Sequence, residues 1–260
     1  MCTRFYNTKT IQSSITEIYE YGEAIAYGYT IPITNEKAQR IAFNDATPEM
    51  KKERIERMKK RYLNERWEIS RLIDVNYDNY TSFLTLTFKE NVQDTEYCNY
   101  EFMKFIKRLN YKIYNTKKAT LKYLAVWELQ ERGAIHYHVM LFSVPKIPYT
   151  DLSKLWKLGS VNIQKIDADS KENRGRYLSK YFTKNLDDPQ YLIKFMGKKR
   201  FFSSKNLKKP SVIVQYNDEK INFKEEDILF QKEFLGKKQV GNEWITYPIR
   251  YIKIKNVQEE

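Results

Sequence analysis

The sequence predicts an α+β fold in which an antiparallel sheet is covered by helices on one face. Three observations predict it. Thr81–Phe88 (TSFLTLTF) alternates as a half-buried strand does, with Leu84, Leu86 and Phe88 on one side and Phe83, Thr85 and Thr87 on the other. An amphipathic helical pattern follows at Thr95–Tyr114, its core stripe being Phe102, Phe105, Ile106 and Leu109. Then Tyr123–Phe142 reads as two alternating runs joined by a tight turn. A short helix, Leu152–Leu158, and the alternating strand Ser160–Ile166 complete the order strand, helix, hairpin, helix, strand.

Upstream of these, residues 1–46 hold strand-like segments at Ile18–Ala26 and Tyr27–Ile33, followed by a polar link with no readable chemistry. Thr47-Pro48-Glu49 is a helix start: a capping hydroxyl, a proline in the first turn and an acid at the positive end of the dipole. That helix extends to about Ile73, with Ile55, Met58, Tyr62, Ile69 and Leu72 along one face. Its opposite face mixes Lys and Arg with glutamates, which reads as a solvated surface, with duplex binding as the alternative.

The hairpin holds the chain's only histidines, His136 and His138, two apart and so on one strand face with Met140; Ile135, Tyr137, Val139 and Leu141 take the other. Glu131-Arg132-Gly133 separates the two runs, and Gly133 stands where a three-residue loop needs a left-handed residue. A loop centred on Arg132 pairs Gln130 with Ala134 and Glu128 with His136. Glu128 then falls on the histidine face, about 5 Å from His136 between Cβ atoms. Two imidazoles and a carboxylate on one face form a mixed nitrogen/oxygen divalent-metal site with open positions for a substrate.

Beyond the strand Ser160–Ile166, Arg174–Asn185 reads as a helix that stacks Tyr177 and Tyr181 on one face, each followed three residues later by a lysine, Lys180 and Lys184. A phenol has a pKa near 10, so a nucleophilic tyrosine needs a cation close by. From Pro189 to Asn217 there is no acidic residue. Lys194, Lys198, Lys199, Arg200, Lys205, Lys208 and Lys209 alternate there with Phe195, Phe201 and Phe202, the pattern expected of a DNA-contacting segment. The remainder, Asp218–Glu260, holds a charged segment and a strand pair around Glu243–Lys255.

Composition agrees with a nucleic-acid partner. A net charge of +13 with 15% aromatic residues suits a polyanion whose phosphates are neutralised and whose bases are stacked. Cys2 and Cys98 form neither a zinc nor a disulfide pattern, which fits a reduced cytoplasmic setting. No signal peptide and no membrane-spanning run is evident, so no membrane partner is expected. The absence of a GxxxxGK[ST] loop argues against an intrinsic ATPase or helicase.

Together these segments resemble the HUH endonucleases, specifically the rolling-circle replication initiators (Rep) of plasmids and single-stranded DNA phages. FLTLTF (Phe83–Phe88), AIHYHVMLF (Ala134–Phe142) and YLSKYFTK (Tyr177–Lys184) look like the family's three motifs in the family's order. The two-tyrosine form of the last is similar to the gene A type initiators of small phages. The resemblance spans about residues 81 to 210. It implies a five-stranded antiparallel sheet of RRM-like topology, with an endonuclease core at 79–216 between an N-terminal extension, 1–78, and a C-terminal extension, 217–260. By resemblance His136 and His138 are ligands of Mg²⁺ or Mn²⁺, and Glu128 is the third ligand, with Gln130 and Glu131 as alternatives. Tyr177 and Tyr181 are then nucleophiles on single-stranded origin DNA, leaving a 5′-phosphotyrosyl link and a 3′-OH primer. Lys180 and Lys184 serve the phosphate or the phenolate. A host helicase and polymerase are the implied partners, in the host cytoplasm. A single-strand transposase or a relaxase shares this chemistry, although a relaxase usually places its tyrosines before the histidines. A non-catalytic RRM-like nucleic-acid-binding module is the rival from another class, and the aromatic RNP pattern it needs is missing.

Overall fold

A computed structural model of the chain describes residues 4–13, 15–27, 41–166, 186–240 and 243–255. In chain order the first elements are β1 (Arg4–Gln12), β2 (Ile15–Tyr27), α1 (Pro48–Asn76), β3 (Ser82–Thr87), α2 (Thr95–Tyr114), β4 (Lys122–Leu129) and β5 (Ile135–Phe142). There follow α3 (Tyr149–Trp156), β6 (Val161–Lys165), α4 (Pro189–Lys194), β7 (Phe201–Ser203), β8 (Ile213–Asn217), β9 (Ile228–Val240) and β10 (Glu243–Lys255). They divide into two compact units, a central one of residues 41–209 and a terminal one made of 1–40 and 210–260.

The central unit is the α+β fold expected from the sequence. Its antiparallel sheet runs β6-β3-β5-β4-β7. The run β3-α2-β4-β5-α3-β6 gives the spatial order 4-1-3-2 of a split βαβ unit, and β7 adds a fifth strand beside β4. One face of the sheet receives α2, whose Phe102 ring lies flat on Tyr137 with centroids 4.5 Å apart and planes 4° from parallel. Trp156 of α3 meets Phe88 and Phe105 edge-on and donates from its indole to the Thr87 carbonyl at 3.0 Å. Met58, Tyr62, Ile69 and Ile73 of α1 belong to the same core.

Local chemistry sets the helix ends. The Thr47 hydroxyl accepts from the Met50 amide and Pro48 opens α1, as expected. The helix continues to Asn76, about one turn past the expected end. The Asn76 side chain both donates to the Lys208 carbonyl and accepts from the Lys208 amide, which anchors that last turn. Asp94 caps α2 by accepting from the Glu96 and Tyr97 amides, and left-handed Asn115 ends it at φ 50°.

The terminal unit is a second antiparallel sheet, β8-β1-β2-β10-β9, which joins the two ends of the chain. The strand-like reading of Ile18–Ala26 falls inside β2. Residues 28–40, which cover most of the expected Tyr27–Ile33 strand, lie outside the described residues. Ile18, Ile252 and Ile254 form a small core with Ile221, Phe223 and Ile228 packed on it. Tyr6, Tyr19, Tyr21, Tyr27, Tyr216, Tyr247 and Tyr251 touch one another across the strands. The two units differ in charge. Residues 41–209 carry 34 Lys and Arg against 20 Asp and Glu, whereas the two ends together carry 12 against 13. The polyanion-binding character of the chain therefore resides in the central unit.

The Phe102–Tyr137 stack makes a stability prediction. Phe102→Ala is expected to lower unfolding free energy by about 3–5 kcal/mol, read from urea denaturation followed by tryptophan fluorescence. A loss below about 1 kcal/mol would mean that the stack does not hold α2 on the sheet.

Candidate functional site

The hairpin has the register that the sequence predicts. Glu128 is opposite His136, the Gln130 amide donates to the Ala134 carbonyl at 2.9 Å, and Gly133 turns the chain at φ +88°. Arg132 fastens the turn to the end of β3: its guanidinium donates to the Phe88 and Lys89 carbonyls and to Gln130 Oε1. On the other side of β5, the central strand β3 sets Thr87 opposite His136 and Thr85 opposite His138. Pairing on both sides of β5 thus fixes one sheet face bearing two histidines, a glutamate and two threonines.

The ligating atoms of Glu128, His136 and His138 all lie within 4.8 Å of one another. Glu128 and His138 are each only 4% exposed, and His136 is half-buried and so open on one side. Although Glu128 is opposite His136 in register, its Oε1 reaches diagonally to Nε2 of His138, at 3.2 Å. Each imidazole also has a hydroxyl partner. Thr87 Oγ1 shares a hydrogen bond with Nε2 of His136 at 2.9 Å, and Thr85 Oγ1 stands 3.4 Å from Nδ1 of His138. Phe83 stacks beside His138 with centroids 5.6 Å apart. One carboxylate and two imidazoles, oriented by neighbouring hydroxyls, form a donor set that could hold a small divalent cation. Of the two alternatives to Glu128, Gln130 is engaged by Arg132 and Glu131 is exposed in the turn.

Tyr177, Lys180, Tyr181 and Lys184 lie outside the described residues. Other acidic protons near the core are poor candidates for a nucleophile. Burial pushes the Cys98 thiol up to about 12, and burial likewise raises Tyr62, Tyr123, Tyr137 and Tyr191 above the ordinary phenol.

The basic segment after α4 needs correction at two positions. Lys194, Lys198, Lys199, Lys205, Lys208 and Lys209 are exposed, but Arg200 is 2% exposed and does not share their surface. Its guanidinium lies 4.1 Å from the Phe195 ring centre and 5.2 Å from that of Tyr62, a cation–π setting in which burial lowers its pKa. Phe195 is fully buried as well, so it packs the core and offers no face to a base. The reason is strand β7. The amide of Trp127 donates to the Arg200 carbonyl and its indole to the Lys199 carbonyl, which draws this stretch onto the edge of β4. A second acid-free run was missed in the sequence. Phe102–Trp127 contains seven Lys and Arg and no Asp or Glu, which a scan for charge along α2 would have found.

Residues 81–186 match a family model for replication-associated proteins of the ORF2 type. The matched span contains both histidines, Glu128 and the Tyr177–Lys184 stretch. This match supports a replication-associated protein, an initiator of the rolling-circle kind that binds origin DNA. No curated protein and no solved structure matches the chain. Among the described residues, no helix is long and apolar enough to cross a membrane.

The threonine contacts generate a test. Thr87→Val keeps the side-chain shape and removes the hydroxyl, at a cost of about 1 kcal/mol in stability. In ¹⁵N spectra of the imidazoles, the ring signals of His136 are expected to shift and those of His138 to stay in place. Unchanged His136 signals would mean that Thr87 does not orient the ring.

Proposed function

We propose that the chain is a metal-dependent endonuclease and strand transferase that starts rolling-circle replication by nicking single-stranded origin DNA through Tyr177 or Tyr181. The observation that carries this reading is the convergence of Glu128, His136 and His138 on one sheet face, inside the span that matches the replication-associated family. These three residues would hold Mg²⁺ or Mn²⁺. When bound, the ion supplies Lewis-acid polarisation of the scissile phosphodiester.

The residues of the chain do the rest. A phenol oxygen attacks phosphorus, the bond to the 3′ oxygen breaks, the phenol proton leaves to solvent, and the departing 3′ oxygen takes one up. The products are a 5′-phosphotyrosyl link and a 3′-OH that primes synthesis. One phosphodiester is exchanged for another, so the step runs in reverse when a 3′-OH returns, and the displaced strand can be rejoined. A tyrosine four residues from the first on one helix face provides a second nucleophile for the regenerated origin. Lys180 and Lys184, each three residues beyond a tyrosine, stabilise the phenolate or hold the phosphate. The exposed lysines at 194, 198, 199, 205, 208 and 209 contact the strand. Strand separation and synthesis fall to a host helicase and polymerase in the cytoplasm.

The test is a covalent-adduct gel with the purified chain, single-stranded oligonucleotides from its own replication origin and Mn²⁺. An SDS-resistant shift is expected, abolished by EDTA, by His136→Ala and by the double variant Tyr177→Phe/Tyr181→Phe. Binding to a verified origin without any adduct would overturn the nuclease reading in favour of a binding module.

A further inference from the structure

We infer that the C-terminal half of α2, with the loop that follows it, forms a second nucleic-acid site that grips the phosphate backbone of duplex DNA. A cleft of about 730 Å³ opens there, lined by Lys107, Arg108, Lys112 and Lys117 together with Tyr111, Asn115 and Leu155. Four of these seven residues are cations. In this region Asp151 meets Lys112 at 3.1 Å, and Lys107 and Lys117 are exposed. Arg108 Nε is enclosed with no hydrogen-bond partner among the described residues.

The helix dipole explains only part of this cluster. Its effect is confined to the last turn, where it favours Lys112, and it does not reach Lys107 or Arg108. The loop carrying Lys117 is also tightly held. The buried Asn110 side chain donates to the Thr116 and Lys118 carbonyls and accepts from the Thr120 and Leu121 amides. The cations are therefore presented on a fixed frame, so little conformational entropy is lost on binding.

Geometry and composition favour a duplex over a single strand. The stack of Phe102 on Tyr137 sets α2 on the sheet face opposite His136 and His138, so this cleft is separate from the face proposed for the nicked strand. Tyr111 is the one ring lining the cleft, so there is no platform on which successive unstacked bases could lie. Cations without rings suit a backbone whose bases stay paired inside. The inference requires no metal at the histidine face.

The experiment uses the full chain and fluorescence anisotropy of labelled DNA, either a duplex of about 20 base pairs or oligo(dT) of similar length, across about 50–200 mM salt. Lys107→Ala/Lys117→Ala is expected to weaken duplex binding about tenfold at ~100 mM salt. The slope of log K against log salt should fall by about 2, near 0.9 for each lost phosphate contact. Oligo(dT) binding should change less than about threefold, because the exposed lysines beyond α4 are intact. Both substituted residues are exposed, and an unchanged thermal melt will establish that the variant is folded. Unchanged duplex affinity and slope, a loss confined to oligo(dT), or no duplex binding by the wild type at ~50 mM salt would each overturn the inference.

Discussion

Pairing of β5 with both its neighbours is the constraint on which the candidate site depends. His136 and His138 share a face because they are two residues apart on one strand. Glu128 joins them only because β4 pairs in the observed register, and Thr85 and Thr87 only because β3 does. A slip of one residue in either ladder would carry the partner side chains to the opposite face. The register is held by burial of Ile135, Tyr137, Val139 and Leu141 on the other face. Arg132 adds a second restraint by tying the turn to the Phe88 and Lys89 carbonyls. Packing of the core and placement of the site are thus one event.

The two compact units divide the physical work. The excess of positive charge resides in residues 41–209, together with the histidine face and both acid-free basic runs. The joined ends are nearly balanced in charge and rich in mutually packed tyrosines. Within the central unit, α2 covers the face of the sheet opposite the histidines, and the same helix carries the basic cleft. A charge-driven partner therefore meets the central unit first, where long-range attraction raises the encounter rate.

Most of the central unit was legible in the sequence because its patterns are local. The period-2 runs of β3, β4 and β5, the stripe of α2, and Gly133 at the turn all coincide with observed elements. The cluster of Glu128 with two histidines was legible for the same reason, since a hairpin's register follows from its loop length. The terminal sheet was not, because β1 and β9 owe their conformation to pairing partners more than 200 residues away along the chain or to a neighbour that is itself irregular in pattern. Arg4–Gln12 is polar enough to read as a loop, and β9 carries Lys232, Glu233, Lys237 and Lys238. Charges of that kind are expected on an edge strand, where they discourage association, and β9 is at the edge of its sheet. Arg200 and Phe195 show a different limit. Charge and aromaticity in a linear run predict a surface, but β7 pairs with β4 and draws both residues inward.

The central claim is that the histidine face binds a divalent metal, and direct Mn²⁺ titration of the purified chain tests it most directly. Electron paramagnetic resonance counts free against bound Mn²⁺ without requiring DNA or activity. One ion per chain is expected, with binding weakened at least tenfold by Glu128→Gln and more by His136→Ala. Full-strength binding by both variants would place the ion elsewhere, and no binding by the wild-type chain at millimolar Mn²⁺ would contradict the claim outright.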